Sequence, residues 1–122
     1  MYELSKQFRF DAAHKLECEV NTAINRRIHG HSYRAEVTVR GTPDAKTGMV
    51  IDLGRFEQLL DGVRQALDHR MLNEIDGLGV PTMENLSAWI WRQLAPGIGN
   101  LSRVAVYRDS SGDACVYNGP GA

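Results

Sequence analysis

Cysteine is scarce in this chain. Its two residues, Cys18 and Cys115, lie far apart and in no Cys-x-x-Cys pattern. They read as reduced thiols, so no disulfide framework is expected. Charge of either sign is not in excess. Fourteen basic residues face fifteen acidic ones, a net charge of −1, which leaves no electrostatic case for nucleic acid or an anionic membrane as partner. Long apolar runs are missing too. Without a transmembrane span or a secretory signal, the expectation is a soluble, cytoplasmic protein. Linkers, repeats and low-complexity tracts are also lacking. At 122 residues the chain is expected to form one domain, residues 1–122, able to bury roughly two-thirds of its unfolded surface.

What is present is periodicity. Residues 3–11 alternate, with Leu4, Phe8 and Phe10 on one side and Ser5, Gln7 and Arg9 on the other, as in a strand with one wetter face. Residues 31–40 alternate more cleanly, with Tyr33, Ala35, Val37 and Val39 sharing a face. The polar connection between them, 15–28, is too long for a tight hairpin. Asp52 can cap a helix reaching about Leu67, with Phe56, Leu59, Leu60, Val63 and Leu67 on its apolar face. Thr82 can cap a second, with Glu84 in its first turn and Leu86, Trp89, Ile90 and Leu94 as the buried stripe, until Pro96-Gly97 stops it. Strands at 101–108 and 114–117 close the chain. The order β-β-α-α-β-β implies an α+β fold, an antiparallel sheet with both helices on one face. Its exposed sheet edges invite oligomerisation.

Histidine is nearly as rare as cysteine, with four residues, and three stand where a metal can use them. His29 and His31 are two apart in Arg27-Ile28-His29-Gly30-His31, so on a strand they project to one side. His14 ends the first strand, and antiparallel pairing brings it to the start of the second. Three imidazoles leave a fourth tetrahedral position open, the arrangement of a catalytic rather than a structural zinc. Imidazole also suits copper, nickel and iron. The plainer alternative is three hydrogen-bonded histidines near a strand end. The fourth, His69, lies in Asp68-His69-Arg70, where a helix C-terminus alone would account for a cationic side chain.

Taken in order, these motifs resemble the 6-pyruvoyl-tetrahydropterin synthase and 6-carboxy-tetrahydropterin synthase family. The resemblance rests on His14, His29-Gly30-His31, Gly48-Met49-Val50-Ile51-Asp52, Asp68-His69-Arg70-Met71-Leu72-Asn73, Pro81-Thr82-Met83-Glu84-Asn85 and Cys115-Val116-Tyr117-Asn118-Gly119. It implies the tunnelling fold (T-fold), in which sheets join into an oligomeric barrel, usually a homohexamer of two stacked trimers with active sites between subunits. It implies 7,8-dihydroneopterin triphosphate or a related reduced pterin as the small-molecule substrate. The implied cofactor is Zn2+, held by His14, His29 and His31. A cysteine thiolate acts as proton acceptor, an Asp-His pair assists, and triphosphate is eliminated. The carboxy branch, which feeds deazaguanine (queuosine) synthesis, also releases acetaldehyde. By position, Asp68 and His69 match the Asp-His pair, while Thr82 and Glu84 match a segment near the pterin. Helix capping accounts for the last two equally well.

Two positions depart from the family pattern. Asn25 stands where the resemblance places the cysteine, four residues before His29, and a carboxamide cannot serve as the thiolate. Cys18, in the same connection, either folds back into the site or is a small, partly buried thiol. Arg108 stands where a glutamate should grip the guanidine-like edge of the pterin, with Asp109 next to it as a shorter replacement. A guanidinium there opposes a pterin edge and suits a carboxylate or phosphate. The expected function is a zinc-dependent carbon–oxygen or carbon–carbon lyase with altered activity. The alternatives are a divergent enzyme with a non-pterin substrate, and a catalytically silent metal- or ligand-binding homologue.

Overall fold

Alternation of apolar residues produces two long strands that carry the molecule. The computed structural model describes residues 1–121. Strand β1 spans Tyr2–His14 and β2 spans His29–Gly41, paired antiparallel from Tyr2↔Gly41 to His14↔His29. Helix α1 (Thr22–Arg26) lies between them. Then follow α2 (Leu53–Leu67), β3 (Arg70–Met71), α3 (Met83–Leu94), β4 (Leu101–Arg108) and β5 (Asp113–Tyr117). The sheet order is β3-β1-β2-β4-β5, with β3 alone parallel to its neighbour.

Both long helices pack on one face of this sheet. Phe56, Leu60, Val63 and Leu67 of α2, and Leu86, Trp89, Ile90 and Leu94 of α3, meet Phe8, Phe10, Tyr33, Val37, Val39, Val104 and Val106. Each such side chain contributes about 1.5–3 kcal/mol by leaving water. The caps form as expected. Asp52 accepts the Gly54 and Arg55 backbone N–H groups, and the Thr82 hydroxyl accepts that of Asn85 at 3.1 Å.

The structure adds two elements to the expected order. Within the 15–28 connection, α1 makes a single turn that buries none of its residues, so no apolar period announces it. The Leu16 N–H donates to the Asn25 carbonyl at 2.7 Å, and Arg26 pairs with Glu17 at 2.7 Å. The fifth strand, β3, has only two residues, too few to alternate. It exists because α2 ends against the edge of β1. Strand β2 begins at His29 rather than 31, which places both of its histidines within the ladder.

Candidate metal centre and adjoining cleft

His14 and His29 occupy the last rung of the β1–β2 ladder, and His31 lies two residues further on the same face. The His14 Nε2 is 3.0 Å from the Nε2 of His29 and 3.0 Å from that of His31. One ligand nitrogen from each ring lies within 4.8 Å of the others. The rings meet edge-on, at interplanar angles of 71°, 87° and 88°, so nitrogens rather than ring faces converge.

The outer nitrogens fix the tautomers. His14, which is 1% exposed, donates its Nδ1–H to the Pro81 carbonyl at 3.0 Å, and His29 donates its Nδ1–H to the Arg27 carbonyl at 2.8 Å. A neutral imidazole that donates through Nδ1 has only a lone pair at Nε2. The Nε2 atoms of His14 and His29 therefore face each other as two acceptors. A shared cation resolves that arrangement, and carbonyl-anchored histidines are the usual ligands. Two nitrogens on one tetrahedral zinc stand about 3.3 Å apart, close to the spacing here. Burial holds the His14 imidazole below its ordinary pKa and takes that of His31 to about 4, where the Arg108 guanidinium adds to the effect. Both rings are neutral at pH 7 and ready to ligate. The residues fit a metal ion.

Arg108, the last residue of β4, reaches this centre. Its Nη1 lies 3.2 Å from His31 Nε2, and its Nη2 donates to Asp113 at 2.9 Å. The Ser111 hydroxyl donates to the same Asp113 oxygen at 2.7 Å, and Arg108 Nε is buried without an acceptor. Asp109 lies elsewhere. It takes two hydrogen bonds from Arg34, each 3.0 Å, and pairs with Arg9 at 3.5 Å. The side chain after Arg108 turns away from the helix-covered face, so the structure brings Arg108 and not Asp109 to the histidines.

Asp68 is the C-cap of α2. One oxygen accepts the Asp11 backbone N–H at 2.9 Å; the other accepts from Arg64 at 3.2 Å and lies 3.1 Å from His69 Nδ1. The Asp11 N–H, then His69 and Arg64, hold this carboxyl below the usual range. His69 has φ 59°, an uncommon conformation for a residue with a side chain, and its backbone N–H donates to the Asp11 carbonyl at 2.6 Å. Its side chain is 80% exposed. His69 and His31 line one cleft of about 450 Å³, with Asp11, Gly30, Ser32 and Arg70 on its walls. Gly30 keeps that wall open by carrying no side chain.

The other expected site residues stand apart from this cluster. Asn25, in α1, donates its amide to the carbonyl of Asn21, the residue before that helix, at 3.0 Å. Thr82 caps α3, and Glu84 is exposed in its first turn. Cys18 and Cys115 are partly buried free thiols. Sequence reasoning missed Asp113, although a residue opposite Arg108 across the β4–β5 turn is a natural partner for it. It also missed the Pro81 and Arg27 carbonyls, because any residue type supplies a carbonyl and no motif marks it.

A largely antiparallel sheet that ends in three converging histidines, with an Asp-His pair at the edge of β1, defines a class of α+β proteins with a candidate metal site. Comparison narrows the class. The family model for 6-pyruvoyl tetrahydropterin synthase matches residues 3–120, and the chain belongs to that family. It is 39% identical over 124 residues to the 6-carboxy-5,6,7,8-tetrahydropterin synthase of Synechocystis, covering 97% of this chain and 95% of that protein. It is 37% identical over 101 residues to a dihydroneopterin monophosphate aldolase of Pyrococcus furiosus, covering 80% and 82%. The human 6-pyruvoyl tetrahydrobiopterin synthase is 31% identical over 137 residues, covering 96% and 91%. The structure of Caenorhabditis elegans 6-pyruvoyl tetrahydropterin synthase superposes with a TM-score of 0.84 at 26% identity, covering 98% and 96%. The fold is thus the tunnelling fold, and the chain is a tetrahydropterin synthase-like enzyme of the pterin lyase kind. Among the described residues no helix is long and apolar enough to cross a membrane.

Proposed function

We propose that this protein is a zinc-dependent lyase that cleaves a carbon–oxygen or carbon–carbon bond in the side chain of a reduced pterin, 7,8-dihydroneopterin triphosphate or a related phosphate ester. The observation that carries the reading is the convergence of the His14, His29 and His31 ring nitrogens at the end of the β1–β2 ladder, together with an Asp-oriented imidazole, His69, at the edge of β1. His14, His29 and His31 would hold the zinc. Bound there, zinc supplies Lewis acidity toward a substrate oxygen.

The chain's own residues handle the proton. Asp68 stays ionised and takes the Nδ1–H of His69, which leaves His69 Nε2 to accept a proton from substrate and later return it. Asp68 then stabilises the imidazolium. Asn25 supplies no base, so removal of a carbon-bound proton by a thiolate is not available at its position. A hydroxyl proton is within the capacity of His69, which favours carbon–carbon cleavage of the retro-aldol kind over the usual elimination. The aldolase relative supports that preference. The homohexamer expected of the family would cover the free edges of β3 and β5. The cytoplasm remains the proposed compartment.

The test is incubation of zinc-loaded protein with 7,8-dihydroneopterin triphosphate and, separately, with its monophosphate, the products being followed by mass. Aldehyde release with slow or no triphosphate elimination is expected. Rapid elimination of triphosphate would refute the role assigned to Asn25. Unchanged substrate across both, with tight binding, would favour the silent homologue.

A second reading has its own observation. The position of Arg108 against His31 suits a substrate without the pterin edge, processed on the same scaffold with His69 as the principal acid–base group.

A further inference from the structure

We propose that Arg108 makes this centre selective for an oxyanion, a carboxylate or phosphate group that answers the metal and the guanidinium together. The inference rests on the metal reading above and concerns what binds beside the metal.

The argument is an accounting of donors and charge. The Nε2 of His31 has one lone pair, and in the structure Arg108 Nη1 uses it at 3.2 Å. A metal held by His31 takes that same lone pair. Arg108 then loses an acceptor, while its Nε already lacks one in a buried position. Asp113 satisfies only Nη2. Nε stays buried without an acceptor and Nη1 loses its imidazole, so beside a dication the guanidinium keeps one carboxylate as countercharge and, in the Tyr33 hydroxyl, only a neutral further partner. A buried unpaired donor and like charges in that state are costly. Movement of Arg108 into solvent is opposed by the Asp113 bond and by the Ser111 hydroxyl that holds Asp113.

A neutral pair of substrate hydroxyls adds no charge and leaves the imbalance. An oxyanion corrects both faults, because carboxylate and phosphate oxygens accept from a guanidinium in its fork geometry. Arg108 is thereby a specificity-determining residue. Metal and oxyanion bind with positive coupling, and linkage requires each to tighten the other by the same factor.

The experiment titrates cobalt(II) into the metal-free full chain and follows its visible absorption, with no added anion, with acetate, and with inorganic phosphate. In the wild-type protein either or both anions are expected to tighten cobalt binding at least about fivefold. The arm with the larger effect identifies carboxylate or phosphate as the preferred group. R108Q is expected to bind cobalt alone more tightly than wild type and to lose the anion effect. D113N, which removes the countercharge but keeps the guanidinium, is expected to show a larger anion effect than wild type, and it serves should R108Q fail to fold. Cobalt binding that neither anion changes, or an anion effect that survives in R108Q or shrinks in D113N, overturns the inference and leaves the metal reading intact. Failure of the wild-type chain to take up cobalt under every condition overturns both.

Discussion

Asp68 and Asp11 are tied in both directions: the Asp68 carboxylate accepts the Asp11 N–H, and the Asp11 carbonyl accepts the N–H of the next residue, His69. This clamp joins the end of α2 to β1 and holds His69 in its left-handed conformation at the cleft. An Asp68→Asn exchange keeps the size of the side chain but removes the charge that steadies a protonated His69. Turnover is expected to fall by about 10²-fold or more, with KM much less affected. A KM rise at unchanged kcat would show that Asp68 acts in binding alone.

Loss of one ring should dismantle the centre. His29→Ala is expected to abolish stoichiometric zinc in elemental analysis of purified protein. Wild-type protein should melt at a higher temperature with zinc than after chelation, because a ligand that binds only the folded state stabilises it. In His29→Ala that difference should vanish.

The metal-free protein should weaken in mild acid. An unfolded imidazole takes up its proton near pH 6.5, whereas folded His31 does so only at about 4. Between those values the unfolded chain binds more protons, so stability falls as pH falls through this window. Below about pH 4 this residue contributes no further loss. Urea midpoints measured from pH 7.5 to 4 should show the decline, and His31→Gln should make it shallower, with the lowered His14 imidazole accounting for part of what remains. An equally steep decline in the variant would assign it to other groups.

Asn25→Cys should not restore rapid triphosphate elimination. The Asn25 amide is spent on the backbone carbonyls of Val20 and Asn21, just before α1, and Arg108 still lies against the centre. Steady-state assays of the single variant should stay within about tenfold of wild type. Full recovery would make the thiol the only missing part.

Helix α2 places Leu60, 2% exposed, against the sheet. Leu60→Ala is expected to cost about 2–5 kcal/mol, read from urea unfolding, without altering zinc stoichiometry under native conditions. A loss of no more than about 0.5 kcal/mol, what surface substitutions cost, would mean that α2 is not packed as described.

Strong periodicity and side-chain caps made most of this fold legible from sequence. Phe8 and Phe10 announced β1, Tyr33 to Val39 announced β2, and Asp52 and Thr82 marked the helix starts to the residue. The histidine centre was legible because antiparallel pairing of two recognisable strands converts a 15-residue separation into a single rung. Helix α1 and β3 were not, since Thr22–Arg26 buries nothing and Arg70–Met71 is too short to alternate. Nor could sequence decide between Arg108 and Asp109. That depended on which of two neighbours on one strand end turned toward the centre, and the Arg9–Arg34 pair on the opposite face captured the aspartate.

The pairing of His14 with His29 has a consequence for how the chain matures. Side chains alternate between faces at every rung, so a hairpin zipped one residue out of step would send the rings to opposite sides of the sheet. Such a misthreaded chain would have nowhere to keep an ion. Capture of a metal by the three histidines would thus act as a proofreading step, rewarding only molecules whose two longest strands have aligned correctly, and metal content would become a simple assay of folding fidelity.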